Sequence, residues 1–175
     1  MLGNKTASLT LGGYDASRLI ENDVSFTLSA IETRDLVVGI QSVTFSDSNT
    51  ADVPLMPYGN GVLAFIDSTL PNLWLPQPGC DAFAQAFGLK FDDVHQSYTI
   101  NDTMHDTNVK NNAIVTFQLG NFVTGGKTVN ITFPYASFEL TSTNIINNKT
   151  TRYFPLRQAD GPARYTLGRA FLQEA

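Results

Sequence analysis

The sequence predicts an all-β fold with a few short helices, on three observations. Several segments alternate apolar and polar residues with a period of two, as strands with one buried face do. Hydroxyls and amides carry the polar burden: 19 Thr, 11 Ser and 14 Asn stand beside a charged fraction of only 15%, and with 13 Gly and 8 Pro they suit strands joined by turns. A chain of 175 residues, 42% of them apolar, can bury one sizeable core. With no internal repeat and no linker, it reads as one unit over 1–175.

The elements follow in chain order. Residues 8–11 (SLTL) alternate and meet the turn signal Gly12-Gly13, and residues 24–28 (VSFTL) alternate again. Residues 36–45 (LVVGIQSVTF) read as a strand interrupted at Gly39. Residues 62–66 (VLAFI) form a short apolar run ending at Asp67, the look of a strand buried on both faces. Residues 114–119 and 129–133 are further strands, separated by a loop over 121–127. Two short helices are expected. Over 81–87 (DAFAQAF), Phe83 and Phe87 share a face, an acidic residue opens the first turn and Gly88 supplies the stop; the second runs over 169–174, opened by Gly168.

Eleven basic against sixteen acidic residues leave a net charge of -5. That is the wrong sign for neutralising phosphates or anionic lipid, so nucleic acid is excluded as a partner. No run of about 18 apolar residues exists, and the opening MLGNKTASLT has neither a basic start nor an apolar signal core. Four N-x-Ser/Thr sequons nominate Asn4, Asn101, Asn130 and Asn148 for glycosylation. With low charge and an acidic balance, they point to a secreted or extracellular cell-surface protein. Cys80 is the single cysteine; it reads either as a buried small hydrophobe or as half of a bridge to a partner outside this sequence.

Phosphate-cradling, dinucleotide, zinc-protease, C-x-x-C and G-x-S-x-G patterns are all absent, so no cofactor is implied. His95 and His105 lie near Asp92, Asp93, Asp102 and Asp106, but their spacing is not that of a structural metal site. They read as solvated loop residues, with no metal assigned. The singular feature is Asp67, which ends VLAFI and precedes Ser68 and Thr69. A carboxylate at the mouth of a buried strand is costly unless hydrogen-bonded or mated with another group. Its own chemistry leaves two readings open: the opener of a turn, or a functional acid.

The stretch Phe65-Ile66-Asp67-Ser68 followed by Leu73-Trp74-Leu75-Pro76 resembles the second active-site strand of the pepsin-like aspartic proteases. Tyr165-Thr166-Leu167-Gly168-Arg169-Ala170-Phe171-Leu172 is similar to the apolar-apolar-Gly element that threads beside that family's catalytic loop, with the short helix after it. Residues 8–15 (SLTLGGYD) and 153–157 (YFPLR) are similar to other parts of the same lobe in secreted or surface-anchored fungal members. The order and separation of these segments span most of the chain. The resemblance implies a C-terminal lobe, double-layered and partly barrel-shaped, with mostly antiparallel strands. It implies truncation at both ends, since Met1 directly precedes family-like sequence and relatives continue past Ala175.

The resemblance also implies a mechanism. Two aspartates, one from each lobe, share a proton because like charges so close cannot both ionise; the ionised one activates water against a peptide carbonyl and the protonated one donates to its oxygen. Asp67 would be one of the pair, Ser68 an inter-lobe brace, and Leu167 and Gly168 supports of the loop, with Trp74 in the core. The expected partners are the N-terminal lobe of the same protein, a peptide or protein substrate and, for the isolated lobe, a second copy; alone, the chain is expected to be inactive. Two departures stand out. Thr69 replaces the family's glycine, and Leu70 replaces a Ser/Thr hydroxyl donor. Losing that donor predicts a raised pKa for Asp67 and impaired catalysis, which favours the alternative of a non-catalytic, protease-like lobe that binds peptides or proteins.

Overall fold

The computed structural model describes residues 11–173 apart from 14, 19, 31, 147 and 148. Asn4, Asn148 and residues 8–10 of the segment 8–11 lie outside the described residues, as does part of the segment 8–15. The elements are β1 (Val37–Ser46), β2 (Val53–Met56), β3 (Val62–Ile66), β4 (Leu73–Leu75), α1 (Gln77–Phe87), β5 (Lys90–Asp92) and β6 (Ser97–Thr99). They continue with α2 (Asp102–Lys110), β7 (Ile114–Gly120), β8 (Thr128–Pro134), β9 (Leu140–Ile146), β10 (Lys149–Phe154), β11 (Leu156–Gln158), β12 (Thr166–Leu167) and α3 (Arg169–Leu172).

The described residues are mostly β, in two sheets. The larger has eight strands in the order β11, β4, β12, β3, β1, β7, β8, with β2 paired to β1; the smaller orders β5, β6, β10, β9. The larger sheet is open, ending at β11 and β8, rather than closed into a barrel. Most pairings are antiparallel, but β12 runs parallel to β3, and β11 parallel to β4. The consequence for the site is topological. Strands β3 and β4 are consecutive in sequence, yet the much later β12 lies between them, so the turn joining β3 to β4 must pass over the end of β12.

The long strand β1 organises the larger sheet, bonding β2, β3 and β7. It is not interrupted at Gly39; its register shifts one step later, between Ile40 and Ser42. Gly39 is needed for a different reason, since a Cβ there would stand 2.1 Å from the Phe122 carbonyl oxygen. In β7 the alternation is cleanly expressed, with Val115, Phe117 and Leu119 buried. Strand β3 is not buried on both faces as its apolar run suggested: Ala64 is buried, whereas Leu63 faces outward at 38% exposure. Residues 24–28 form no strand. The Asn121 side chain holds them instead, accepting from the Thr27 N–H (2.7 Å) and donating to the Ser25 carbonyl (2.8 Å).

Three α-helices occur among the described residues, one more than the sequence predicted. Helix α1 begins four residues before the expected Asp81 because Pro78 is tolerated in a first turn, where its missing N–H is no loss. Asp81 therefore lies inside the helix, not in its first turn. The stop is as expected: Gly88 adopts the left-handed conformation (φ 66°, ψ 38°) and its N–H bonds the Ala84 carbonyl. Helix α2 carries His105, a residue expected on a loop. Asn101 caps it by accepting from the Met104 N–H at 2.8 Å, Asp102 sits in the first turn and Lys110 in the last.

An aromatic core joins the layers. Phe87 of α1 meets Phe45 of β1 edge-on (5.0 Å between centroids, 86°) and Phe154 of β10 at 5.1 Å. Phe133 of β8 contacts Phe138, and Phe171 of α3 packs on both Phe117 (5.5 Å) and Phe133 (5.1 Å). Phe171 thus pins the short final helix to the sheet, and burying a ring of this size contributes roughly 1.5–3 kcal/mol. Cys80 is fully buried in α1 and unpaired; its thiol lies 3.4 Å from the Arg157 carbonyl, and burial pushes its pKa up to about 12. It behaves as a small hydrophobe.

Candidate active site at the tip of strand β3

Strand β3 delivers Asp67, and β12 fixes where it stops. Phe65 and Ile66 pair in parallel with Thr166 and Leu167, and the Asp67 N–H bonds the Leu167 carbonyl at 3.2 Å. The chain then turns over the end of β12. Gly168 sits directly beneath that turn, where an added Cβ would lie 2.3 Å from the Asn72 carbonyl oxygen and 2.5 Å from that of Leu70. The first N–H groups of α3 bond the same loop: Arg169 N–H to the Leu70 carbonyl (2.8 Å) and Ala170 N–H to that of Pro71 (3.1 Å). A helix N-terminus leaves its first amides without partners inside the helix, and here the loop carbonyls satisfy them. Asp67, Ser68, Thr69, Leu70, Leu167 and Gly168 are therefore brought together.

Within the turn Asp67 is held by Thr69. The Thr69 N–H (2.8 Å) and the Thr69 hydroxyl (2.6 Å) both donate to Asp67 Oδ1. The hydroxyl first, then the backbone N–H, hold the carboxyl below the usual carboxylate range, with the Leu70 N–H and the Arg169 charge acting in the same direction against partial desolvation. This corrects the expectation of a raised pKa. Leu70 does lack a hydroxyl, but the residue before it supplies one, so the departure at Thr69 compensates the departure at Leu70.

The effect is testable on the isolated chain. Thr69→Val keeps the shape and the backbone N–H but removes the hydroxyl. A carboxyl-carbon NMR titration is expected to show the Asp67 pKa moving up toward its ordinary value; an unchanged midpoint would refute this role for the hydroxyl. The sign matters for stability as well. Because the folded pKa is depressed, this hold on the turn is fully present above the ordinary carboxylate pKa and is lost only as pH falls through the depressed value.

No family model matches the chain, and no curated protein does. Among solved structures, the fold is similar to that of an aspartic proteinase from Irpex lacteus, with a TM-score of 0.64 and 10% sequence identity. The match covers 93% of this chain and 45% of that one. The chain has the fold of a pepsin-like aspartic protease lobe. It spans less than half the length of the neighbour it matches, and at 10% identity the likeness is one of fold.

Two features of this site were not read from the sequence. The Arg169 guanidinium donates to the Ser68 (3.0 Å) and Thr69 (2.9 Å) carbonyls, so the helix that follows Gly168 clasps the loop by side chain as well as backbone. No spacing rule marks such a contact, which joins residues a hundred positions apart. Trp74, expected in the core, is half-buried and lines a cavity of about 360 Å³ with Phe65, Asp67, Leu70, Arg164 and Thr166. Its strand neighbours Leu73 and Leu75 are fully buried, so alternation alone turns Trp74 to the other face of the sheet.

The histidines lie elsewhere and apart. His95 sits in an exposed turn beside Asp92 (3.0 Å). His105, far from being a loop residue, is on α2 with its side chain only 14% exposed, 3.2 Å from the Tyr135 hydroxyl and 3.4 Å from Glu139. Among the described residues no three His, Cys, Asp or Glu side chains gather in a way that could hold a metal ion.

Proposed function

We propose that the chain is the C-terminal half of a secreted, two-lobed acid endopeptidase, with Asp67 as one of two carboxylates that activate water against a peptide bond. The observation that carries this reading is the placement of Asp67: at a strand tip, on a turn clasped from beneath by Gly168 and Arg169, with its carboxylate at the edge of a cavity large enough for a peptide side chain. The fold likeness supports it. The two carboxyls would share one proton, the ionised member activating water and the protonated member donating to the carbonyl oxygen. Peptide binds between the lobes. The isolated chain is inactive because it supplies a single carboxylate, and a second copy could meet it about a twofold axis.

A second reading, a non-catalytic lobe that binds peptides, is favoured by the Thr69 hydroxyl. It occupies a lone pair of Oδ1 and adds bulk where a substrate and water must approach. A transition-state mimic of aspartic proteases separates the two. The two-lobed protein is expected to bind it at acid pH and to lose that binding as the carboxylate pair becomes doubly ionised; peptide binding without affinity for the mimic would establish the second reading instead.

A further inference from the structure

We propose that Asn101 carries an N-linked glycan whose first sugar seats in a polar depression beside the N-terminus of α2. The sequon Asn101-Asp102-Thr103 is presented at the surface, with all three residues exposed. Asn101 Oδ1 is engaged by the Met104 N–H at 2.8 Å, which fixes the side-chain amide at the helix cap through its oxygen, whereas Nδ2 is the atom that is modified. The cap and the modification are compatible because they use different atoms of the same amide.

The depression provides the second observation. It measures about 400 Å³, within the range of roughly 300–1,000 Å³ for small-molecule sites, and Asn101 itself forms part of its wall. The almost wholly buried Ile100 forms a small apolar floor, Thr141 and Thr150 bring hydroxyls from the hairpin of β9 and β10, Asp102 brings a carboxylate, and Arg152 brings guanidinium donors. Arg152 is itself held in place by Glu139 (3.3 Å) and Asp102. An N-acetylhexosamine has one apolar ring face and a rim of hydroxyl and acetamido acceptors, which is the complement of this surface.

The chemistry balances as a group transfer. The donor is an oligosaccharide joined to a polyprenyl diphosphate; its C1–O bond to phosphate breaks, a C1–Nδ2 bond forms, and Asn101 Nδ2 loses one proton as the lipid diphosphate departs. The proposal does not depend on Asp67 or on any proteolytic activity.

The test is secretion of the whole chain from a yeast host, followed by peptide mapping of the 101–103 segment. The Asn101 peptide is expected to carry a hexose-rich glycan, and both Asn101→Gln and Thr103→Ala are expected to lose one glycan mass; the latter leaves the helix cap intact, so it separates loss of the sugar from loss of the cap. Trimming to a single N-acetylglucosamine is expected to keep the thermal midpoint of the glycosylated protein, whereas Thr103→Ala lowers it. Recovery of unmodified Asn101 from secreted protein overturns the modification, and a midpoint indifferent to the first sugar overturns the seat.

Discussion

Gly168→Ala is expected to destabilise the chain by about 3 kcal/mol or more and to displace the loop that carries Asp67. The backbone at Gly168 (φ -86°, ψ -162°) is open to any L-residue, so the cost is not conformational. It is steric. The new methyl would stand 2.3 and 2.5 Å from two carbonyl oxygens of the backbone, and neither can swing aside as a side chain could. Relief requires moving residues 70–72 away from α3, which breaks the Arg169 and Ala170 amide bonds to that loop. Overpacking costs about 1–3 kcal/mol in ordinary cores, and lost hydrogen bonds add about 0.5–1.5 kcal/mol each. Urea unfolding with fluorescence from the single Trp74 measures the first effect, and the Asp67 carboxyl shift reports the second. A midpoint within error of the parent would show that the loop is not clasped from beneath.

Phe87→Ala is expected to cost about 3–5 kcal/mol, at the top of the range for a buried ring. Phe87 is fully buried and its ring meets those of Phe45, Phe83, Tyr135, Phe138 and Phe154, which belong to β1, α1, the turn after β8 and β10. The cavity would open between elements of the two sheets, where no single element can move to fill it. Phe87→Leu should recover a substantial part of the loss in the same unfolding experiment. If the two variants were equally unstable, the ring contacts rather than the filled volume would be the stabilising factor.

Much of the fold was legible because alternation is a local signal. Strands β1, β3, β7 and β8 lie within a residue or two of their expected places, and Gly88 ends α1 where a left-handed residue was needed. Residues 24–28 show the limit of that signal. Alternation creates an apolar face, but a strand also needs a neighbour with free backbone groups, and these residues are held by the Asn121 side chain instead, leaving Leu28 65% exposed. Helix α2 escaped notice for the opposite reason. Its sequence DTMHDTNVK has hardly an apolar face, with Asn108 as its buried residue, and only the cap at Asn101 and the charges at its ends announce it.

At the site, the sequence indicated which residues meet but not how their chemistry combines. Asp67 could be singled out as a carboxylate ending an apolar run, and Gly168 through the resemblance carried by residues 165–172. The pKa shift could not. Thr69 reads in sequence as a bulky intruder and Leu70 as a missing donor, and only the geometry shows one hydroxyl making good the loss of another. Arg169 likewise reads as the start of a helix, and its clasp on the Ser68 and Thr69 carbonyls depends on β12 threading between β3 and β4.

The most direct measurement is hydrolysis of a peptide substrate at acid pH by the two-lobed protein carrying Asp67→Asn. The variant retains the shape of the side chain and an oxygen to accept from Thr69, so folding should be preserved, while one carboxyl of the proposed pair is gone. Activity is expected to fall by on the order of 10²–10⁴-fold or more. Cleavage at the parental rate by a folded Asp67→Asn protein would contradict the account and leave the turn at the end of β3 with a purely architectural role.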